Sequence, residues 1–325
     1  DEPLEPDIEV GMDAKVAGTS SLNLDLTINP DFSNVDVDQQ VTNLSRFSLF
    51  FPERRNFFLE NSDIFSEFGR WNARPFFSRR IGLNDGDPVP IQYGARLSGN
   101  LTNSLRIGVM DIQTAATDDQ SAQNYAVGAF QKRVLSRSSI KGIWVNRQSN
   151  GQQENGVAKD YNRVGGLEFE YLSQDGKWSG YLKHHQSFTP EKNSANGFYT
   201  ALLTYRSRRL FWGVTASQVD RHFVADVGFT PRLENYDAVA DTTVRLGYKD
   251  FNPWIGYNHY PKAGSPINMH GPRLWAVWTF NADGSFNEEL LNLVYFVSFR
   301  NSAEARIRIR HNGVKLPFAL DLIGD

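Results

Sequence analysis

The sequence contains no cysteine among its 325 residues. Without thiols it can form no disulfide framework and no thiolate zinc site, and it has no cysteine nucleophile. It also lacks any run of about 18 apolar residues, which excludes a transmembrane helix. The net charge of −3 gives no electrostatic case for nucleic acid as a partner, because nucleic-acid binders usually show a basic patch or stripe. We therefore expect no nucleic acid among the partners.

Signatures of common enzyme classes are missing as well. The sequence holds no His-Glu-x-x-His, Gly-x-Ser-x-Gly or Gly-x-x-x-x-Gly-Lys motif. Its six histidines are scattered, and no pair of carboxylates is set apart as a general acid with its base. We predict that the chain is not an enzyme.

Aromatic residues make up 13% of a chain whose mean hydropathy is −0.46. From residue 91 onward apolar and polar residues alternate, which indicates β-strands with one apolar face. In one such stretch Leu167, Phe169 and Tyr171 alternate with Glu168 and Glu170. The predicted strands are about 9–12 residues long, which is the length that a tilted strand needs to cross a bilayer.

The connections between the predicted strands alternate in length, as they do in outer-membrane barrels, where short periplasmic turns alternate with longer outer loops. Short turns are predicted at residues 136–137, 174–176, 207–208 and 250–253, and long polar connections at residues 148–160 and 189–196. The sequence thus predicts an all-β fold, an antiparallel transmembrane β-barrel over residues 91–325. A soluble β-sandwich that binds carbohydrate is the alternative, because alternation alone is the same in both folds.

Residues 1–90 form a separate region with a different texture. Residues 22–28 predict one strand, but the stretch that follows is irregular and dense in Phe and Arg. We expect this region to pack inside or beneath the barrel, either as a plug that controls passage or as a brace at the barrel mouth. Arg suits bidentate ion pairs with a polar wall. The candidate contact residues are Glu53, Arg54, Arg55, Glu60, Arg79 and Arg80.

Three motifs in this region carry a resemblance to a known family. They are Asn29-Pro30-Asp31-Phe32-Ser33, then Phe50-Phe51-Pro52-Glu53-Arg54-Arg55, and finally Phe76-Phe77-Ser78-Arg79-Arg80. In this order they resemble the Bacteroidota proteins grouped as domain of unknown function 5916. The remaining three quarters of the chain match that family only as generic barrel hairpins.

The resemblance implies a barrel in the outer membrane of a Gram-negative bacterium, with outer-membrane lipid as a partner. In that family a carbohydrate-binding family 9-like module often precedes the barrel, which makes glycans candidate solutes. That module is missing from this sequence, so we expect the chain to be an excerpt of a longer protein. The family has no settled activity, and the resemblance supplies no catalytic residues.

Charged residues on the polar face of predicted strands are candidates for the barrel lumen: Glu168, Glu170, Arg245, Arg306, Arg308 and Arg310. Basic side chains that line a pore select anions, while mutual neutralisation with the two glutamates is the structural alternative. The aromatic residues Trp144, Trp178, Trp212, Tyr248, Trp254 and Trp275 are expected to form belts at the membrane interfaces. Stacking on sugars is the functional alternative for them.

Asp31, Asp36 and Asp38 form an acidic cluster whose oxygens would suit Ca²⁺. The spacing departs from the EF-hand pattern and has no glycine at the turn, which favours Asx-rich turns. We expect no cofactor, with calcium kept as the alternative hypothesis.

Taken together, these patterns predict a barrel that handles or passes a solute at the outer membrane, with glycans as candidates. The rival from another class is a scaffold, a barrel with a filled lumen that serves as a subunit of a larger outer-membrane complex. A soluble carbohydrate-binding sandwich is the third hypothesis.

Overall fold

The computed structural model describes residues 11–18, 21–30, 50–84, 87–150, 160–191, 194–237 and 239–318. Over these residues the fold is almost entirely antiparallel β-structure. The strands are β1 Met12–Ala17, β2 Leu22–Ile28, β3 Leu83–Asn84, β4 Asp87–Pro88, β5 Ile91–Thr102, β6 Leu105–Thr114, β7 Gln123–Val134, β8 Ser138–Ser149, β9 Tyr161–Leu172, β10 Trp178–Phe188, β11 Gly197–Arg206, β12 Leu210–Val219, β13 Glu234–Asp237, β14 Thr242–Arg245, β15 Tyr248–Tyr257, β16 Ile267–Asn281, β17 Phe286–Phe299 and β18 Glu304–Val314.

Fourteen of these strands form one large sheet in the order β1, β2, β5 to β12, β15 to β18, while β3–β4 and β13–β14 are separate two-stranded hairpins. Each strand from β5 to β12 and from β15 to β18 has 10 to 15 residues. Neighbours along the chain are also neighbours in the sheet, as the sequence of predicted hairpins indicated. The all-β antiparallel prediction is therefore confirmed.

Strand alternation gives the large sheet two unlike faces. On the face that we call outer, Leu167 and Leu182 are each 62% exposed. On the opposite, inner face the strands bury Val127, Val145 and Val164. The exposed face is thus apolar, and the buried face carries most of the polar and charged side chains of the strands.

Residues 50–84, which we call the N-terminal segment, pack against the inner face. The segment contains two short helices, α1 Asn56–Leu59 and α2 Asp63–Ser66, and a 3₁₀ turn at Ser78–Arg80. Its rings join the buried residues of the sheet in one hydrophobic core. The approach is close: a Cβ placed on Gly108 of β6 would lie 2.6 Å from the Phe65 ring. The core of the protein therefore lies between the segment and the sheet.

The predicted alternation in length is found for most connections but not for all of them, since residues 258–266 form a nine-residue connection among the short turns and residues 282–285 a four-residue connection at the opposite end. At one end of the sheet, the short-turn end, the connections are residues 18–21, 103–104, 135–137, 173–177, 207–209, 258–266 and 300–303. At the other end, the long-connection end, they include residues 115–122, 150–160, 189–196 and 220–247. The N-terminal segment also enters from the long-connection end, since it joins β2 to β5.

Two details of the predicted strands are wrong. The turn predicted at residues 250–253 lies inside β15, which continues from Tyr248 to Tyr257. Proline lacks a ladder donor, and the pairing of β15 with β16 accordingly skips Asn252 and Pro253 while the pairing with β12 continues. The strand predicted at residues 239–249 is split into β14 and the start of β15 by a tight approach at Gly247, where a Cβ would lie 2.8 Å from the Arg221 nitrogen.

In the residues that the structure describes, β1 and β18 are the two edges of the large sheet, and each pairs on one side only. Closure of the sheet into a barrel therefore stays a prediction. No helix among the described residues is long and apolar enough to cross a membrane.

Candidate functional site

Residues 69–72 form the tip of the N-terminal segment, and this tip is clamped to the inner face through hydrogen bonds with Glu168 of β9. The Gly69 amide donates a 2.6 Å hydrogen bond to Glu168 Oε1, and His185 Nε2 lies 2.9 Å from the same oxygen. Lys183 Nζ lies 2.9 Å from Glu168 Oε2 and donates to the Gly69 carbonyl at 3.0 Å. Gly69 has a φ of +74°, so the tight turn that presents its amide favours glycine. Glu168 is on the inner face, as predicted, and its partners are the segment and β10.

The same tip is bonded to a second set of strands further along the sheet. Asn72 Nδ2 donates to Asp250 Oδ2 at 3.0 Å, and Thr279 Oγ1 donates to Asp250 Oδ1 at 3.0 Å. The Tyr248 hydroxyl donates to the Asn72 carbonyl at 3.3 Å. These bonds fix the last residues of the tip above β15 and β16, which is where the covered part of the inner face ends.

Within the segment, Glu53 and Arg55 form a bidentate ion pair with each other, whereas the sequence predicted ion pairs between the segment and the barrel wall. Arg55 Nε and Nη2 donate to the two Glu53 oxygens at 2.9 and 2.8 Å, and Nη1 donates to the Ile81 carbonyl at 2.7 Å. Burial alone would raise the pKa of Glu53, but the hydrogen bonds and charge of Arg55, with a bond from Ser78, hold that pKa below its ordinary value. The pair ties the start of the segment to its 3₁₀ turn rather than to the sheet.

The other predicted segment residues are dispersed. Glu60 pairs with Lys15 of β1, and Arg79 Nη1 donates to the Pro52 carbonyl at 3.1 Å. Arg54 is exposed beside Glu53, whose carboxylate accepts from the Arg54 amide at 3.0 Å. Arg80 is exposed and lines a cavity at the long-connection end. The six residues therefore do not form one site.

That cavity, of about 390 Å³, also brings in Arg245. Arg245 lies on the β13–β14 hairpin instead of the large sheet, and its guanidinium donates to Glu234 at 2.6 Å and to the Phe223 carbonyl at 2.7 Å. Arg147 of β8, which sequence reasoning missed, lies in the same wall and pairs with Asp160 at 2.7 Å and Asp226 at 2.9 Å. Two of the three arginines are thus neutralised by neighbours.

A second cavity lies where the segment stops covering the inner face. It is a groove of about 440 Å³ between the segment tip and β15–β16, and it adjoins another of about 450 Å³ over β17–β18 that shares Arg273 and Trp275 with it. We call these two adjoining cavities together the tryptophan–arginine groove and define it by Trp71, Trp254, Arg273, Trp275 and Arg308.

The strand register explains why these side chains meet. Trp254 of β15 lies opposite Trp275 of β16, and Arg273 lies opposite Val294 of β17. Trp254 extends over the bare backbone of Gly213, where a Cβ would be 2.3 Å from its ring. The indoles are therefore held in place by packing on neighbouring strands.

Guanidinium groups lie among these rings. Arg273 is 4.5 Å from the centre of the Phe296 ring, and Arg308 is 6.0 Å from the centre of the Trp275 ring. Neither arginine has a carboxylate within ion-pair distance among the described residues. Such a mixture of flat rings and unneutralised cations suits a ligand with apolar ring faces and negative charge.

The register also places the three predicted arginines of β18 on the inner face. Arg306, Arg308 and Arg310 lie opposite Phe296, Val294 and Asn292 of β17, while Ile307 and Ile309 face outward. Arg306 has Glu304 at 3.6 Å, and Arg310 Nε donates to Asn312 at 3.2 Å. Glu170 lies elsewhere on the inner face and pairs with Lys141 at 2.8 Å, so the predicted neutralisation of the arginines by the two glutamates is not found.

The six aromatic residues assigned to interface belts divide between the two faces. Trp144, Trp178 and Trp212 are on the outer face, whereas Tyr248, Trp254 and Trp275 are on the inner face, Tyr248 buried and the two tryptophans at the groove. The pairing of β15 with β12 and β16 decides this, because a strand register fixes which face each residue occupies. Uniform belts are thus the wrong interpretation for these three inner residues.

Sequence reasoning also missed Lys183, His185 and the segment tip at residues 69–72. Lys183 and His185 alternate with Leu182 and His184 in a predicted strand, so the sequence indicates that they share a face. It does not indicate that this face contacts the N-terminal segment. The acidic cluster Asp31, Asp36 and Asp38 lies outside the described residues, and among the residues described no group of three or more His, Asp or Glu side chains could hold a metal ion.

The family described as Domain of unknown function (DUF5916) matches residues 1–265 of the chain. No curated protein and no solved structure matches the chain.

Proposed function

The chain belongs to the family described as Domain of unknown function (DUF5916), and from this premise we propose that it forms the wall of an outer-membrane β-barrel that binds a glycan in the tryptophan–arginine groove. The barrel would lie in the outer membrane of a Gram-negative bacterium, with its outer face against lipid. The groove would face the lumen, beside the N-terminal segment.

The observation that carries the membrane part is the reversal of the two faces. Leu167, Leu182, Ile255, Leu274 and Ile307 are between 47% and 74% exposed on the outer face, while charged side chains such as Glu168 are buried on the inner face. A soluble sheet would bury its apolar face, whereas a membrane barrel turns it toward lipid. The strand lengths also suit a bilayer crossing.

The glycan part is supported by the content of the groove. Indole rings give flat apolar surfaces for sugar rings, and a few placed polar groups give orientation, which is the usual make-up of a small-molecule site. The cations Arg273 and Arg308 favour sugars that carry carboxylates, because guanidinium binds carboxylate in a bidentate manner. An acidic oligosaccharide is therefore the proposed solute class.

Membrane residence is tested by fractionation of cells that express the chain. We expect it in the outer-membrane fraction and resistant to carbonate extraction; release into the soluble fraction would instead favour the soluble β-sandwich. Single-channel recording then measures passage in the intact chain and after deletion of residues 30–82. Lack of conductance in both would remove passage and leave binding alone.

Binding is tested by titrating the detergent-purified chain with oligogalacturonate and with neutral galacto-oligosaccharide of the same length. We expect the acidic oligomer to bind and Trp275→Ala to weaken its binding by at least about fivefold, because buried tryptophan contacts are worth more than about 1 kcal/mol in interfaces. Trp144→Ala on the outer face is the matched control. Equal affinity for both oligomers would contradict the assignment of an acidic sugar.

A scaffold function is the second candidate, and the clamped segment favours it. The bonds from Gly69 and Asn72 to the inner face would keep a lumen filled, as in a barrel that serves as a subunit of a larger complex. Purification in mild detergent followed by mass spectrometry separates the two candidates, since stoichiometric partners without glycan binding would support the scaffold.

A further inference from the structure

The two ends of the large sheet differ in charge. The seven connections at the short-turn end contain a single carboxylate, Asp175, against six cations. We call these cations the basic rim: Arg137, Lys177, Arg208, Arg209, Lys262 and Arg300. At the long-connection end the exposed carboxylates are frequent, among them Asp118, Asp119, Asp160, Asp241 and Asp283. The basic rim is therefore a property of one end and not of the whole surface.

The charge of the rim is largely uncompensated. All six side chains belong to exposed residues, and within the described part of the chain only Lys177 has an ion pair, with Asp175 at 3.1 Å. Arg137 and Arg300 donate to backbone carbonyls of neighbouring turns, at 3.2 Å to Gln174 and at 2.7 Å to Ser265. These bonds hold the guanidinium groups across adjacent turns without neutralising them, so that the rim keeps a net positive charge.

A cluster of aromatic rings lies on the outer face immediately next to this rim. Trp178 begins β10, Tyr205 is next to the last residue of β11, and Trp212 is near the start of β12. The Trp178 ring centre is 4.9 Å from that of Tyr205 and 5.7 Å from that of Trp212. Along the outer face of β10 to β12, the order from the middle of the strands to the short turns is thus aliphatic, aromatic and then cationic.

That order matches the profile of one membrane leaflet. Hydrocarbon is followed by the interface, where Trp and Tyr are enriched, and then by headgroups, whose phosphates attract Lys and Arg. We propose that the basic rim binds the phosphate groups of anionic membrane lipids in the leaflet at the short-turn end. This rests on the proposed membrane barrel, and it adds which end of the sheet engages lipid charge.

The test compares insertion of the full chain into vesicles of phosphatidylcholine alone and into vesicles that also contain about 30% phosphatidylglycerol, an anionic lipid whose surface charge attracts Lys and Arg. The lipid concentration at half-insertion is measured by flotation. The triple variant R208Q/R209Q/K262Q removes three rim cations, none of which has an ion pair among the described residues. The control R221Q/K249Q/K315Q makes the same charge change at the long-connection end.

We expect the wild type and the control to insert more readily into the anionic vesicles than into the neutral ones. In the rim variant this preference should be about a hundredfold smaller at low ionic strength, since each cation near an anionic surface contributes about fivefold to binding. Salt should reduce the difference. Inorganic phosphate should reduce insertion into anionic vesicles no more than chloride does at equal ionic strength if the ligand is a lipid headgroup.

Two outcomes would contradict lipid binding by the basic rim without contradicting the proposed barrel. One is equal insertion of the wild type into both kinds of vesicle, and the other is an equal loss of the preference for anionic vesicles in the rim variant and the control. Failure of the wild type to insert into either vesicle would instead count against the proposed membrane function itself. The two proposals are thus separable in one experiment.

Discussion

The inner face of the sheet has a covered half and an open half, and the two halves differ in which part of the chain supplies the rings that pack on them. Under the N-terminal segment the strands supply mostly β-branched residues, such as Val127, Val145 and Val164, with the rings of Tyr125 and Phe198, and the segment supplies further rings. Over β15 to β18, where the segment ends, the strands supply their own rings, Trp254 and Trp275. The comparison teaches that the segment is part of the core, and that the groove begins where the segment stops.

The largest expected effect is in the covered half. Phe65→Ala should lower the free energy of unfolding by about 3–5 kcal/mol, because the ring is 2% exposed and its removal leaves a cavity against Gly108. Trp71→Ala in the open half is the control, since Trp71 is 58% exposed. Denaturant unfolding in detergent micelles measures both, and equal losses would mean that the two halves do not differ in packing.

The clamp at Glu168 should give the next effect. Glu168→Gln removes the charge that Lys183 and the Gly69 amide share, and we expect a loss of about 1.5–3 kcal/mol, the usual range for a hydrogen bond to a charged group. Proteolysis within residues 50–84 should become faster as the tip is released. Glu170→Gln is the matched control, because its ion pair with Lys141 is partly exposed and is expected to contribute less than about 1 kcal/mol. The idea fails if both variants are cleaved at the same rate.

Acidification should loosen the segment through Glu53. The pKa of Glu53 is held below its ordinary value of 4.5 by Arg55 and Ser78, so the ionised pair contributes stability above that pH and loses it as the pH falls through the lower folded pKa. Proteolysis of the segment measured from pH 6 down to pH 3 should rise in the wild type. In Glu53→Gln the segment should be looser at pH 6 and show a flatter pH profile; an unchanged profile would exclude Glu53 as the titrating group.

The smallest stability effect is expected in the open half. Arg273→Gln should change the free energy of unfolding by no more than about 0.5 kcal/mol, because Arg273 contacts ring faces and has no ion pair with any residue that the structure describes. The same variant should nevertheless weaken binding of oligogalacturonate in a titration. A large loss of stability with unchanged binding would reverse the distinction between the two halves.

Much of the sheet was predictable from alternation alone. β2, β9 and the short turns near residues 137 and 175 appear where the pattern indicates, because a period of two is a local property of the chain. The errors at residues 239–253 have local causes, a proline tolerated inside β15 and a close approach at Gly247. The inner placement of Glu168 and Arg308 also follows from alternation, once their strands are correctly assigned.

The groove could not be predicted in the same way. Trp254 and Trp275 had the sequence features of an interface belt, as Trp178 does, and their inner position depends on pairing with particular residues of β12, β16 and β17. The clamp is equally non-local, since Gly69 and Glu168 are 99 residues apart. No pattern within one strand carries information about a contact over that distance.

By itself, the sequence determined the class of the fold, the antiparallel order of the hairpins, the two unlike faces and the family, because each depends on the period of the side chains or on contiguous motifs. Only the tertiary structure decided which part of the inner face is covered, which tryptophans meet arginines there, and that six cations gather at one end. These features require residues from separate strands to share a face or an end, and sheet register, set by the backbone pairing of whole strands, brings them together.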